Sequence, residues 1–151
     1  MNLIADFHIH SKYSRAVSPN MVLPEIRIWA KKKGINLVSA ADFTHPLWFR
    51  EIKENLEEAE QGLYMMRGNK NLDPEKETRF ILTTEISCIY SKGGKARRIH
   101  TLIFAPSLEI VEKINDKLGQ TYNLKSDGRP ILGLDVKNLT EIILEISSKC
   151  L

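Results

Sequence analysis

Apolar and polar positions change period several times along the chain, and each change marks an element. "NLIADFHI" (2–9) is an apolar run of strand length that enters a polar stretch, "HSKYSRAVSPN". It reads as a buried strand followed by a loop. "LPEIRIWAKKKG" (23–34) has helical spacing, with Pro24 in its first turn and Gly34 as its stop. "INLVSAAD" (35–42) is a second strand. "HPLWFREIKENLEEAEQGLY" holds a helix from about 47 to 61, with an apolar stripe of Leu47, Ile52, Leu56 and Ala59. "RGNKNLDPEKE" (67–77) is polar and reads as a loop. "TRFILTTEISCIY" (78–90) and "RIHTLIFAP" (98–106) are strands, joined by a turn at "SKGGKAR". "SLEIVEKINDKLG" (107–119) opens on a Ser N-cap and closes on Gly, the two ends of a helix. "YNLKSDGRPIL" is extended and loop-like, and "DVKNLTEIILEISSK" (135–149) is a final amphipathic helix.

The order is strand, helix, strand, helix, strand, strand, helix, helix, which predicts an α/β domain with a largely parallel sheet. The 151 residues suffice for one domain, 1–151, with a real core. The chain stops after a helix, where an α/β barrel would supply its next strand, and four strands cannot close a barrel. Composition adds little. Hydrophobic residues make up 42% and charged ones 27%, as in ordinary globular proteins. A net charge of +3 is too weak by itself to argue for nucleic acid. The basic runs "KKK" (31–33) and "KARR" (95–98) and the acidic "EIKENLEEAE" (51–60) read singly as solvated faces. Cys88 and Cys150 have no metal-like spacing and suggest no disulfide framework, so a reducing cytoplasm is expected. No run of ~18 apolar residues predicts a membrane span, and no signal peptide is visible.

Chemistry gathers at the predicted strand ends. The four histidines are His8, His10, His45 and His100. His8 and His10 end the first strand and point to one face by alternation. Asp42 ends the second, with His45 three residues on; Glu85 lies late in the third and His100 in the fourth. Ligands collect at the carboxyl ends of strands in open sheets and barrels alike. Imidazoles and carboxylates converging on one rim make a site for Zn²⁺, Mn²⁺ or Fe²⁺. Two buried imidazoles side by side are costly without a shared cation. Glu85 inside an apolar strand likewise needs a positive partner. Lys12, Tyr13 and Arg15 follow the His-x-His pair, and Arg129 lies in "SDGRP"; each could hold a phosphate or stay in a solvated loop. Trp48 could stack on a base, but opening an amphipathic helix it is expected in the core.

These residues carry a resemblance. "DFHIHSKYS" resembles the first motif of the PHP (polymerase and histidinol phosphatase) superfamily. "SAADFTHP" is similar to its second motif, "TTEIS" to the segment of its metal-bridging glutamate, and "RRIHTLIF" to the histidine strand that follows. "HSKYSRAVSPNM", "DFTHPLW", "RFILTTEIS", "IHTLIFAPSLE" and "NLKSDGRPILGLD" resemble, in that order, the N-terminal region of the endonuclease Q family. The resemblance implies a partial (β/α)7 barrel, roughly its first four strands. It implies two or three divalent ions (Zn, Mn, Mg or Fe) in the complete domain. His8, His10 and His100 would be ligands, Glu85 the bridging carboxylate and Asp42 the second-motif aspartate. The implied activity is phosphodiester hydrolysis in DNA repair, nicking 5′ to deaminated bases or abasic sites. DNA is then the partner, and a second chain or a C-terminal region would complete the barrel. Phe43 stands where most members of the superfamily have histidine, which leaves the role of His45 open. The late histidine and Asp-x-His motifs are missing, so the chain resembles a truncated domain. A small-molecule phosphatase of the histidinol-phosphatase type and an inactive fragment are the competing readings.

Overall fold

The computed structural model describes residues 3–68 and 77–151. Its elements are β1 (Ala5–Asp6), α1 (Leu23–Lys32), β2 (Leu37–Ser39), α2 (Pro46–Asn55), β3 (Leu56–Glu60), β4 (Leu63–Met66), β5 (Arg79–Lys92), β6 (Lys95–Ala105), α3 (Leu108–Gly119), β7 (Ile131–Leu132) and α4 (Val136–Ile146). The fold is mixed α/β, and its described strands form no closed barrel.

β5 organises the sheet. Its first residues pair in parallel with β2, which pairs in parallel with β1. Phe80 also pairs with Tyr64 of β4, and β3 lies beyond β4, both antiparallel. From Leu82 onward β5 runs antiparallel to β6, and at Ser87–Cys88 it takes β7 in parallel. The sheet is therefore mixed rather than largely parallel. The 78–90 strand and its neighbour form one long hairpin, which needs no crossover helix. Every residue of β5 from Phe80 to Ser87 except Ile81 is buried, so both faces of this strand are covered.

The helices cover the sheet with short apolar stripes: Leu23, Ile26 and Ala30 on α1, Trp48, Phe49 and Ile52 on α2, Val111, Ile114 and Leu118 on α3, Leu139 and Ile143 on α4. They join Phe43, Phe80, Leu82 and Ile86 in one core. Each such side chain contributes about 1.5–3 kcal/mol by leaving water. Trp48 is fully buried, and its Nε1 donates to the carbonyls of Ala40 and Ala41, so it is a core residue. Ser107 caps α3 by accepting from the Ile110 N–H, and Asp135 caps α4 by accepting from that of Lys137. Both cysteines are free and buried.

Several expectations change. The helix of 47–61 ends at Asn55, and Leu56–Glu60 turns back as β3 against β4. Glu, Leu and Ala favour helix locally, but pairing with 63–66 overrides propensity. Gly62, at φ +77°, makes the turn. Leu47 is 46% exposed and lies off the buried stripe. β1 is two residues long and sits at the sheet edge, so Leu3 and Ile4 of the supposed buried strand are exposed. Gly119 belongs to α3, whose cap is Gln120 in right-handed geometry. The 67–77 loop falls mostly outside the described residues.

One buried ion cluster ties α1 to the start of β5. Glu77, 3% exposed, takes Lys31 Nζ at 2.5 Å and Arg27 Nη2 at 2.7 Å. Burial pushes its carboxyl up, but the bonds from Lys31 and Arg27 outweigh burial and hold it below 4.5. A carboxylate depressed on folding stabilises the fold above its unfolded pKa, and that stability is lost as pH falls through the folded value. Glu77→Gln should lower stability by about 1–2 kcal/mol, roughly 2–8 °C in melting temperature near neutrality. Thermal melts from pH 7 down through 4.5 should show the wild type losing more than the variant, so that the two curves approach.

Candidate metal centre

The centre is assembled from four stretches of chain. The segment after β1 carries His8 and His10, anchored by Phe7 edge-on to Phe104 at 5.5 Å. The pair lies beyond the strand, not at its end, so strand alternation is not what aligns it. The turn after β2 carries Asp42, β5 carries Glu85 and β6 carries His100. In the β5–β6 register Glu85 is opposite Leu102 and Ser87 opposite His100, so Glu85 and His100 are diagonal neighbours on one face.

Glu85 is the floor, 2% exposed. His8 Nε2 lies 2.7 Å and His10 Nε2 3.0 Å from its Oε2. His100 Nδ1 lies against Oε1, yet Oε1 accepts no well-formed hydrogen bond although it is buried. Arg129 Nη1 stands 3.8 Å from Oε2. Burial pushes the Glu85 carboxyl up, but His8, Arg129 and His10 outweigh burial and hold it below its ordinary value. His8 is 55% exposed, so the sequence picture of two buried imidazoles holds for neither ring fully.

Asp42 stands behind His10. Its Oδ1 meets His10 Nδ1 at 3.0 Å. Its Oδ2 accepts from the Ser11 N–H at 2.6 Å, the Ser11 hydroxyl at 2.7 Å and the Ser14 hydroxyl at 2.8 Å. Burial acts to raise its pKa, but the bonds from His10, Ser11 and Ser14 prevail and lower it. An ionised carboxylate only accepts, so Nδ1 of His10 carries the proton. In the neutral ring Nε2 then presents a lone pair to Glu85 Oε2. Two acceptors in contact require either a second proton or a cation between them. The hydrogen bond to Asp42 does raise the His10 pKa. Carboxylate–histidine pairs of this kind also orient metal ligands. Ligand atoms of His8, His10 and Glu85 lie within 4.8 Å of one another. Two imidazoles and a buried carboxylate at this spacing fit a divalent cation.

The other candidates are placed differently. His45 is the N-cap of α2; its ring is buried, stacks on Tyr13 at 4.3 Å and leaves Nδ1 without a hydrogen bond. Burial holds its pKa down, and its ring is outside the His8–His10–Glu85 group. Lys12 Nζ and the Tyr13 hydroxyl both reach Glu51 Oε1, at 2.9 and 2.8 Å. Arg15 pairs with Asp127 at 3.3 Å. Of the four phosphate candidates, only Arg129 faces Glu85. Cavities of about 700 and 370 Å³ lie elsewhere, the first between α2 and α3 and the second beside α1.

Sequence reasoning passed over Ser11, Ser14 and Gly128. The serines sit three residues apart directly after the His-x-His pair, the spacing of a tight turn, which the Ser14 N–H to Ser11 carbonyl bond closes. Gly128, in "SDGRP", is needed for space: a Cβ there would lie 2.4 Å from both Asp42 Oδ2 and Ser14 Oγ.

No family model matches the chain. An uncharacterised protein of Methanocaldococcus jannaschii, MJ0043, is 30% identical over 142 residues, which are 93% of this chain and 15% of that protein. The chain is similar to the crystal structure of the lesion-specific endonuclease PfuEndoQ from Pyrococcus furiosus, with TM-score 0.78 and 32% identity. That match covers 95% of this chain and 32% of the endonuclease. It is similar also to endonuclease Q in complex with a 27-mer duplex carrying an abasic lesion at the active site. There the TM-score is 0.79 at 32% identity, over 97% of this chain and 33% of the other. The chain thus spans about a third of these endonucleases and 15% of the archaeal relative.

Gly128→Ala should displace Asp42 and destabilise the chain by about 1–3 kcal/mol, the usual overpacking cost. Asp42→Asn should weaken Mn²⁺ or Zn²⁺ binding by about 10–100-fold, as loss of a ligand-orienting partner does. Thermal denaturation reads the first and isothermal titration calorimetry the second; wild-type values in both would contradict this account of Asp42.

Proposed function

We propose that residues 1–151 form one incomplete PHP-type domain carrying the metal-dependent phosphodiesterase site of a DNA repair endonuclease. The observation that carries the reading is the convergence of two imidazole Nε2 atoms on one buried carboxylate oxygen of Glu85. The similarity to endonuclease Q structures at 32% identity supports DNA as the substrate. Deaminated bases and abasic sites are the lesions proposed.

In this reading His8, His10 and Glu85 would hold a divalent cation, and His100, on the other carboxylate oxygen, would serve a second. Bound divalent ions supply Lewis acidity, which activates water and offsets phosphoryl charge. The chain's own residues prepare the site. Asp42 fixes the tautomer of His10 and keeps its Nε2 lone pair available. Gly128 keeps the Asp42 cage closed. Arg129, 39% exposed beside Glu85, can turn its guanidinium onto a phosphate oxygen. Lys12, Tyr13 and Arg15 follow His10 in the chain and are held by Glu51 and Asp127; release from these carboxylates would free them for the same role.

The open form of the centre favours a polymer over a small phosphate monoester. His8 and His100 are 55% and 51% exposed, and neither cavity described above takes in the cluster. The test is the double variant His8→Ala/His10→Ala. Wild type should bind divalent metal and nick duplexes containing deoxyinosine, deoxyuridine or an abasic site. The variant should lose the tightly bound metal, read by elemental analysis, and about 10³-fold or more of the nicking rate. Unchanged metal content in the variant would sink the assignment.

A further inference from the structure

β5 and β6 run on past the body of the sheet. Cys88, opposite Leu132 of β7, is the last residue of β5 that pairs with a strand other than β6. From Ile89 opposite Arg98 to Lys92 opposite Lys95, the two strands form a ribbon, pairing only with each other among the described residues, with Tyr90 packing back on the core. Gly93 and Gly94 close it at φ +60° and +72°. Two consecutive left-handed residues are what a tight two-residue hairpin turn requires. Residues 91–100 are all exposed.

The ribbon carries Lys92, Lys95, Arg97 and Arg98 and no acidic residue. Lys92 is held by Asp135 at 2.7 Å, whereas Lys95, Arg97 and Arg98 make no ion pair among the described residues. Lys92 and Lys95 also face each other across the strands. Like charges in that position destabilise a sheet, and Lys95, unlike Lys92, has no carboxylate among the described residues to offset this. A polyanion would offset it. Side chains directly opposite share a face, so Arg98, across from Ile89, lies on the face of Glu85 and His100. It stands two residues beyond His100, about 7 Å along the strand.

We infer that this ribbon is a DNA-binding arm. Arg98 holds a backbone phosphate next to the one that enters the His8–His10–Glu85–His100 cluster, and Lys95 and Arg97 hold phosphates further along. The identity of the polymer rests on the phosphodiesterase reading; the contact rests on the charge and place of the ribbon. Guanidinium groups grip phosphate through paired N–H donors, and each phosphate neutralised releases counterions and steepens the salt dependence of binding.

The experiment is fluorescence anisotropy with a labelled duplex carrying one abasic site, between about 50 and 200 mM salt. Lys95→Gln/Arg97→Gln/Arg98→Gln should weaken binding about tenfold or more at low salt and cut the salt slope by about 2–3; Arg98→Gln alone should cut it by about 1. Lys32→Gln/Lys33→Gln/Lys117→Gln, of equal net charge, should keep the wild-type slope. An unchanged melting temperature shows that the fold is intact. A ribbon variant with wild-type affinity and slope overturns the arm, as does a control variant that loses as much. Metal-dependent cleavage of the same duplex, followed in parallel, separates the two ideas. Ribbon-dependent binding without cleavage by wild type keeps the arm and removes the phosphodiesterase reading. Cleavage with ribbon-independent binding does the reverse. A wild-type chain without affinity for the duplex overturns both.

Discussion

Asp42 can only accept hydrogen bonds, and the polarity of the whole centre follows from that. Its acceptance from Ser11 and Ser14 keeps it ionised, which obliges His10 to carry a proton on Nδ1 and turns its Nε2 toward Glu85. The backbone meets a cost to achieve this. Ala41 and Asp42 both have positive φ, +56° and +42°, a conformation L-residues avoid. Strain of about 1–3 kcal/mol per residue is of the size that hydrogen bonds to a buried charge, at about 1.5–3 kcal/mol each, can offset. Remove the carboxylate and the strained turn loses both its purpose and its compensation.

β5 supplies the second constraint. It pairs with β6 from Leu82 to Lys92 and, on its other edge, with β2 at Arg79–Ile81 and β7 at Ser87–Cys88, and it is buried from Leu82 through Ser87, so its side chains there have little freedom to move. Glu85 is therefore held by the sheet, while the imidazoles come to it from the segment after β1 and from β6. A rigid anion met by adjustable ligands suits a site that must hold its geometry. The same rigidity makes Glu85 depend on the groups around it, since its carboxylate cannot swing into solvent.

Much of this was legible beforehand, for identifiable reasons. The four main helices announce themselves by spacing and caps, Ser107 and Gly34 among them. Glu85 was legible because a carboxylate inside "FILTTEISCIY" violates the apolar pattern around it. Strand-end reasoning brought His8, His10, Glu85 and His100 together, as the structure does, yet none sits at a strand end: His8 and His10 lie beyond β1, and Glu85 and His100 lie within β5 and β6. What escaped reading depends on pairing across distance. "LEEAE" is a good helix by composition and a strand only because Tyr64 and its neighbours are there to pair with it. β7 is two residues long, too short for any period to show. Gly128 looks like a turn residue in "SDGRP"; that its missing side chain makes room for Asp42, 86 positions earlier, is visible only in three dimensions.

The centre grades from buried anion to exposed cation-capable rings. Glu85 lies at 2% exposure, His10 at 21%, His100 at 51% and His8 at 55%. From the solvent side the imidazoles are met first. Neither of the two larger cavities among the described residues takes in this rim, and two surfaces flank it. One is the 126–130 turn, which brings Arg129 to Glu85 and lays Gly128 on the Asp42 cage. The other is the β5–β6 hairpin, whose root bears Glu85 and His100. Both flanks are built from the chain segments that also position the centre. A change in either flank therefore shifts the geometry of the His8–His10–Glu85 cluster, unless it is confined to side chains that point wholly into solvent, as those at the ribbon tip do.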